Sequence, residues 1–168
     1  MKLDHIAFRV QDRHSTVSFL KSTLGYEVDT EFDLKFNDGS TADCFALVGP
    51  IIPEVLVRQG PEIFVSDGSP DSIVGRWVEE NNGGGVHHFA YKVKDIDSVY
   101  QDWLSKGVEF LSDEVIDCPE DDLRQIFTKP LPELGGAIVE LIQRGHKGFC
   151  QHSVKKLMES TDDNRPKG

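Results

Sequence analysis

Apolar residues recur at every second position near the start of the chain, at Ile6, Phe8 and Val10, which is the period of a half-buried strand. Phe89, Tyr91 and Val93 repeat that alternation about 83 residues later. The match is longer than the strand. Leu3-Asp4-His5-Ile6-Ala7-Phe8-Arg9-Val10-Gln11-Asp12 runs parallel to Val86-His87-His88-Phe89-Ala90-Tyr91-Lys92-Val93-Lys94-Asp95, Ser15 and Ser22 align with Ser98 and Ser105, and Gly25-Tyr26-Glu27-Val28 aligns with Gly107-Val108-Glu109-Phe110 after a one-residue gap. Self-similarity at an offset of half the chain implies two copies of one supersecondary unit.

In each copy a helix is expected after the first strand. Asp12 and Asp95 stand at N-cap positions. Val17, Leu20 and Leu24, or Val99, Trp103 and Leu104, supply an apolar stripe, and Gly25 and Gly107 close it. Extended segments follow: Tyr26 to Phe36, a turn at Asn37-Asp38-Gly39, Thr41 to Val48, Val55 to Arg58 and Ile63 to Val65. The second copy offers Val108 to Leu111, Gln125 to Thr128 and Ala137 to Gln143. The pattern predicts an α+β fold of two βαβββ modules forming a cupped mixed sheet. The modules fall at 2–69 and 85–145, with a linker helix over 70–84, a C-terminal helix over 148–160 and a disordered tail over 161–168. Asn81-Asn82-Gly83-Gly84-Gly85 reads as a flexible link; it lacks the Lys-Ser/Thr of a phosphate loop and precedes a strand.

Composition narrows the partners. In 168 residues, 38% are apolar and 28% charged, with 29 acidic against 18 basic side chains and a formal charge of −11. This is a globular composition. Its charge disfavours nucleic acid and anionic membrane surfaces. No apolar run approaches the ~20 residues of a membrane span, and Met1-Lys2-Leu3-Asp4 lacks the pattern of a signal peptide, so a cytoplasmic protein is expected. Cys44, Cys118 and Cys150 show neither paired nor metal-binding spacing and read as free thiols.

Three residues stand out chemically. If Ile6, Phe8 and Val10 face the helix layer, His5 faces away from it, and the repeat assigns His88, not His87, as its counterpart. Glu140 interrupts a strand that is otherwise apolar on both faces, where a carboxylate is costly unless paired or bound to a cation. Two imidazoles and one carboxylate from three strands match the facial triad that leaves open positions on Fe(II). His14, His146 and His152 read as solvated.

These features resemble the vicinal oxygen chelate superfamily, whose members include glyoxalase I, methylmalonyl-CoA epimerase, extradiol dioxygenases and hydroxyphenylpyruvate dioxygenase. Asn82-Gly83-Gly84-Gly85-Val86-His87-His88, Lys106-Gly107-Val108-Glu109-Phe110-Leu111, Gln125-Ile126-Phe127-Thr128-Lys129-Pro130, Glu140-Leu141-Ile142-Gln143-Arg144 and Gly148-Phe149 are similar, in order, to segments of the dioxygenase's catalytic barrel. The resemblance implies one divalent metal ion, iron(II), held by His5, His88 and Glu140. It places Gln125 and Phe127 in the pocket and Phe149 as its cover. The implied function is a non-haem iron(II) dioxygenase of the 4-hydroxyphenylpyruvate type acting, with dioxygen, on a small chelating substrate such as a 2-oxo acid, in a homodimer. The alternatives are a metal-dependent epimerase, isomerase or lyase, and a non-catalytic small-molecule binding protein. Three positions depart from the dioxygenase pattern: its N-terminal barrel is absent, and His87 and Val154 stand where a glutamine and an aromatic residue are usual. Against the epimerase pattern, Leu47 stands at the expected proton-shuttle glutamate, and Ile63 or Glu62 at a fourth metal ligand.

Overall fold

A computed structural model describes residues 1–145 and 151–162 of the chain. The elements run β1 (Lys2–Val10), α1 (Arg13–Leu24), β2 (Glu27–Lys35), β3 (Thr41–Val48), β4 (Ile51–Ile52), β5 (Val57–Arg58), β6 (Glu62–Gly68), α2 (Ile73–Glu80), β7 (Gly84–Lys92), α3 (Ile96–Ser105), β8 (Ile116–Cys118), β9 (Leu123–Phe127), β10 (Ile138–Arg144) and α4 (Gln151–Asp162). The fold is α+β with mixed strand pairing, as the periodicity predicts. The chain separates into two compact units, His5–His87 and Met1–Asp4 with His88 onward.

In the unit His5–His87 the strand order is β2-β3-β6-β1, with β1 parallel to β6 and the other pairs antiparallel. Asp12 caps α1 by accepting hydrogen bonds from the amides of His14 and Ser15, and Gly25 ends it at a left-handed φ of 72°. One face of the strands packs on α1 through Val17, Leu20, Phe45, Leu47, Ile63 and Val65. The expected strand over 55–58 is not part of this sheet. Pro50 and Pro53 interrupt the ladder, and 51–58 forms a separate two-stranded hairpin, β4 with β5. Gln59 N donates to Pro50 O at 2.8 Å, and Arg58 Nη1 to Gly49 O at 2.9 Å. The linker helix is shorter than 70–84. It begins after Ser72, whose Oγ accepts the Gly75 amide, and ends at Glu80. Gly84 and Gly85 are not a flexible link but the first residues of β7. At Gly84, φ is +103° and Arg9 O lies where a Cβ would project, so only glycine fits.

The other unit has the same order, β8-β9-β10-β7, with β10 parallel to β7 and antiparallel to β9. Asp95 caps α3 by accepting from Ser98 N, and α3 packs on Val93, Phe110, Ile126 and Leu141. The segment 108–111 forms a single bridge, Phe110 with Thr128, while the regular strand is β8 further on. A bend over 111–114, where Ser112 Oγ donates to Glu114 O at 2.8 Å, separates the expected segment from β8, which the sequence pattern did not predict. The last helix is described over Gln151–Asp162, so 161 and 162 are helical and not tail; of the expected helix 148–160 the start, and of the expected tail residues 163–168, lie outside the described residues.

Candidate metal centre

Register places the chemistry of the second unit on one face. Glu140 is opposite Ala90 on β7 and Phe127 on β9; His88 is two residues before Ala90, and Gln125 two before Phe127. Directly opposed residues share a face and side chains alternate, so His88, Glu140, Gln125 and Phe127 point the same way. Leu141 and Ile126 point oppositely, into the α3 core. Glu140 is 1% exposed and His88 8%. Their nearest atoms, His88 Nε2 and Glu140 Oε2, are 3.2 Å apart, and the His88 ring stands edge-on to Phe127 at 4.8 Å between centroids. Helix α4 covers this face. Leu157 packs on Phe127 and Ile138, and Gln125 Nε2 donates to Ser153 O at 3.4 Å.

His5 is buried on β1 together with Ala7 and Arg9, while Ile6, Phe8 and Val10 pack toward the α1 core. The residue before it is held firmly: Arg144 forks onto Asp4, Nη2 to Oδ2 at 2.9 Å and Nε to Oδ1 at 3.2 Å, in a part-buried setting. Arg9, which the sequence did not single out, lies with its guanidinium carbon 5.8 Å from the Trp77 ring centroid. Its alternation with His5 and Ala7 was the available signal.

Among the described residues, His5, His88 and Glu140 are the group whose ligand atoms all lie within 4.8 Å of one another. Their chemistry suits a divalent ion: two borderline imidazole nitrogens and one hard carboxylate, all buried, as imidazole–carboxylate sites for iron, manganese or zinc require. Gln125 and Phe127 share the face of His88 and Glu140; Phe149 and His146 lie outside the described residues. His87 does not join the group and instead meets Trp77 edge-on at 5.2 Å. His14 and His152 are exposed. Cys44 and Cys118 are buried and form no disulfide, and burial pushes the Cys44 thiol up from its ordinary value; Cys150 lies outside the described residues.

Two expectations need correction. Leu47 is part of the α1 core, so it cannot occupy the proton-shuttle position. The β3 residues facing the other way are Ala42, Cys44, Ala46 and Val48, the first three opposite Gly68, Ser66 and Phe64. Glu62 pairs with His5 across β1 and β6, yet it does not join the clustered donors.

The chain belongs to the Glyoxalase/Bleomycin resistance protein/Dioxygenase superfamily, whose family model matches residues 4–127. Among curated proteins it is 29% identical to human mitochondrial methylmalonyl-CoA epimerase over 84% of this chain and 73% of that protein. It is 28% identical to pig 4-hydroxyphenylpyruvate dioxygenase over 57% of this chain and 33% of that one. Among solved structures, a 4-hydroxymandelate synthase mutant from Streptomyces coelicolor superimposes with a TM-score of 0.79, covering 98% of this chain and 54% of that chain at 22% identity, which shows the shared fold. Measured by length of similarity, these relatives favour the epimerase alternative over the dioxygenase.

Proposed function

We propose that the protein is a divalent-metal enzyme in which His5, His88 and Glu140 hold one ion, and that it is an iron(II)-dependent dioxygenase of a small 2-oxo acid or similar oxygen-chelating substrate. The observation that carries the metal is the buried donor set of two imidazoles and one carboxylate within 4.8 Å. When bound, iron(II) would supply the redox chemistry and the positive charge that draws a chelating substrate. The protein's own contribution is placement and exclusion. His88 and Glu140 are fixed on paired strands, each opposite the residue two positions from the other: His88 faces Ile138 and Glu140 faces Ala90. Gln125, tethered to α4, would orient the substrate, and Phe127, Ile138 and Leu157 would keep water from it; Phe149 is assigned to the cover by resemblance. We place the protein in the cytoplasm as a homodimer; among the described residues no helix is long and apolar enough to cross a membrane.

The choice of chemistry rests on what is missing from one surface. Epimerisation needs a proton acceptor beside the reacting carbon, and the β3 positions on the side away from α1 are Ala42, Cys44, Ala46 and Val48, with the Cys44 thiol held protonated by burial. A metal-dependent epimerase is the second reading, favoured by the epimerase relative's 84% coverage of this chain. Anaerobically purified protein, analysed for metal and then given aryl 2-oxo acids, decides between them. A dioxygenase consumes oxygen and releases carbon dioxide one to one. Exchange of a substrate α-proton with deuterated solvent under argon would establish the epimerase instead, and aromatic-ligand binding without metal or turnover would indicate a binding protein.

A further inference from the structure

The unit His5–His87 leaves apolar side chains in water where its own packing does not use them. Its β4–β5 hairpin exposes Val55 to 59%, Leu56 to 81% and Val57 to 56%, whereas large apolar residues left in solvent are normally scattered singly. Leu56 also has a left-handed φ of 53°. A bulky side chain is rarely held there, and glycine adopts that backbone without a Cβ penalty. Folding of a lone chain favours neither the exposure nor the conformation, and backbone strain of this kind tends to mark places where the side chain has a use.

A receptor for the hairpin lies on the same unit. Between α1 and the strands β2 and β3 runs a groove of about 540 Å³, with Val17, Val28 and Phe45 as its floor and His14 and Lys21 on its rim. The His14 ring stands edge-on to Phe45 at 5.5 Å. Val55, Leu56 and Val57 bring the branched aliphatic groups that such a floor takes, and Glu54, immediately before them, brings a carboxylate for the Lys21 ammonium. Among the described residues neither Lys21 nor Glu54 forms an ion pair, whereas Arg58 at the base of the hairpin is held by Glu27 at 3.1 Å. That pair sets the hairpin beside the groove, because Glu27 precedes Val28. One twofold axis next to it seats each hairpin in the other copy's groove, which closes the assembly at two. A chain of formal charge −11 repels its own copy. Association then needs apolar burial and a local opposite charge, and this surface has both.

We propose that the β4–β5 hairpin is the dimerisation element of this chain: Val55, Leu56 and Val57 dock in the groove between α1, β2 and β3 of a second copy, with Glu54 on Lys21 in both directions. This rests on the homodimer placed above and is independent of the metal centre. Sedimentation velocity of the full chain over a micromolar concentration series measures the dimer dissociation constant, and circular dichroism checks that each variant is folded. Leu56→Gly relieves the left-handed backbone and removes the tip. It should stay folded and raise the dissociation constant at least about tenfold, since burying a leucine contributes on that scale and the twofold counts it twice. Glu54→Lys and Lys21→Glu each set like charges against one another and should weaken the dimer, and their combination should regain most of the loss. A merely structural role for either residue gives no such rescue, and the charge pair decides should Leu56→Gly not fold. A parent dimer whose dissociation constant is unchanged in Leu56→Gly and in both single charge variants overturns the proposal and moves the interface to another face. A parent that stays monomeric throughout the series removes the homodimer itself, and this proposal with it.

Discussion

Glu140 sits where a carboxylate is most expensive, between Val139 and Leu141 on a buried strand, and the cost is offset only if a cation or imidazole shares the site. Replacing His5, His88 or Glu140 by alanine should therefore abolish stoichiometric metal binding, measured by metal analysis after gel filtration, whereas His87→Ala should retain it. Loss in His87→Ala with retention in His88→Ala would mean the strand register is wrong by one. As candidates, His5 and His88 were legible because the repeat and the period-two alternation fix faces without any knowledge of tertiary contacts, and Glu140 because a carboxylate stands out in an otherwise apolar strand. Arg9 and the Asp4–Arg144 fork were not, since partners 140 residues apart leave no local signal. A second prediction concerns Cys44. Its thiol is fully buried and pushed up by that burial, with the neighbouring Asp43 adding to the shift, and the thiolate is the reactive form. Folded protein at pH 8 should leave Cys44 unmodified by a thiol-disulfide reagent, and modification should appear only with denaturant.

At the level of elements, the first strands and their capped helices followed from alternation, Asp N-caps and glycine ends, all of which are local. The departures came where ladder partners decide. Of the expected strand 55–58, Val57 and Arg58 pair with Ile52 and Ile51, and of the expected strand 108–111 only Phe110 forms a bridge, while the regular strand is Ile116–Cys118 beyond the bend. A C-terminal helix was expected over 148–160, but the face it buries, with Val154, Leu157 and Met158, and the face it packs on were not legible. Leu157→Ala should remove packing from Phe127 and Ile138 and cost about 2–4 kcal/mol in denaturant unfolding. If α4 is the cover, it should also depress turnover more than metal content; equal losses of both would instead make the helix part of the metal scaffold. The other helix contact carries a pH signature. Arg124 on β9 donates twice to Asp97 in the first turn of α3, at 2.6 and 2.9 Å, and this hydrogen bonding holds the Asp97 carboxyl below its ordinary value. A depressed carboxylate favours folding above its unfolded pKa, and that contribution is lost as pH falls through the folded one. Carboxyl-carbon NMR should show Asp97 titrating below the ordinary aspartate range, near 3.9, and returning toward it in Arg124→Ala.

For the whole molecule, the expected ligands are spread along the sequence, about 83 residues from His5 to His88 and about 52 more to Glu140. An ion binding them only in the folded chain stabilises the fold by mass action. The repeated strand orders β2-β3-β6-β1 and β8-β9-β10-β7 explain how so few local cues could specify the architecture: one pattern, read twice, fixes both halves. What the repeat cannot specify is where the copies diverge, at the β4–β5 hairpin and at Phe64, which faces Ala7 where the second copy sets Glu140 opposite Ala90. Net charge complicates the corresponding experiment, because a chain with a formal charge of −11 attracts divalent cations without any site. Screening separates the two. Exposed charges lose most of their mutual influence beyond the Debye length of about 8 Å at 0.15 M salt, whereas buried ligands are much less affected. In 0.15 M salt, the melting temperature of the parent should rise steadily with cobalt or anaerobic iron(II), by an amount following the logarithm of free metal above its dissociation constant. Glu140→Ala, which lowers the formal negative charge by only one, should show no such rise. If both proteins respond alike, and if the response disappears as salt is added, the stabilisation comes from diffuse counter-ions and not from a centre built on His5, His88 and Glu140.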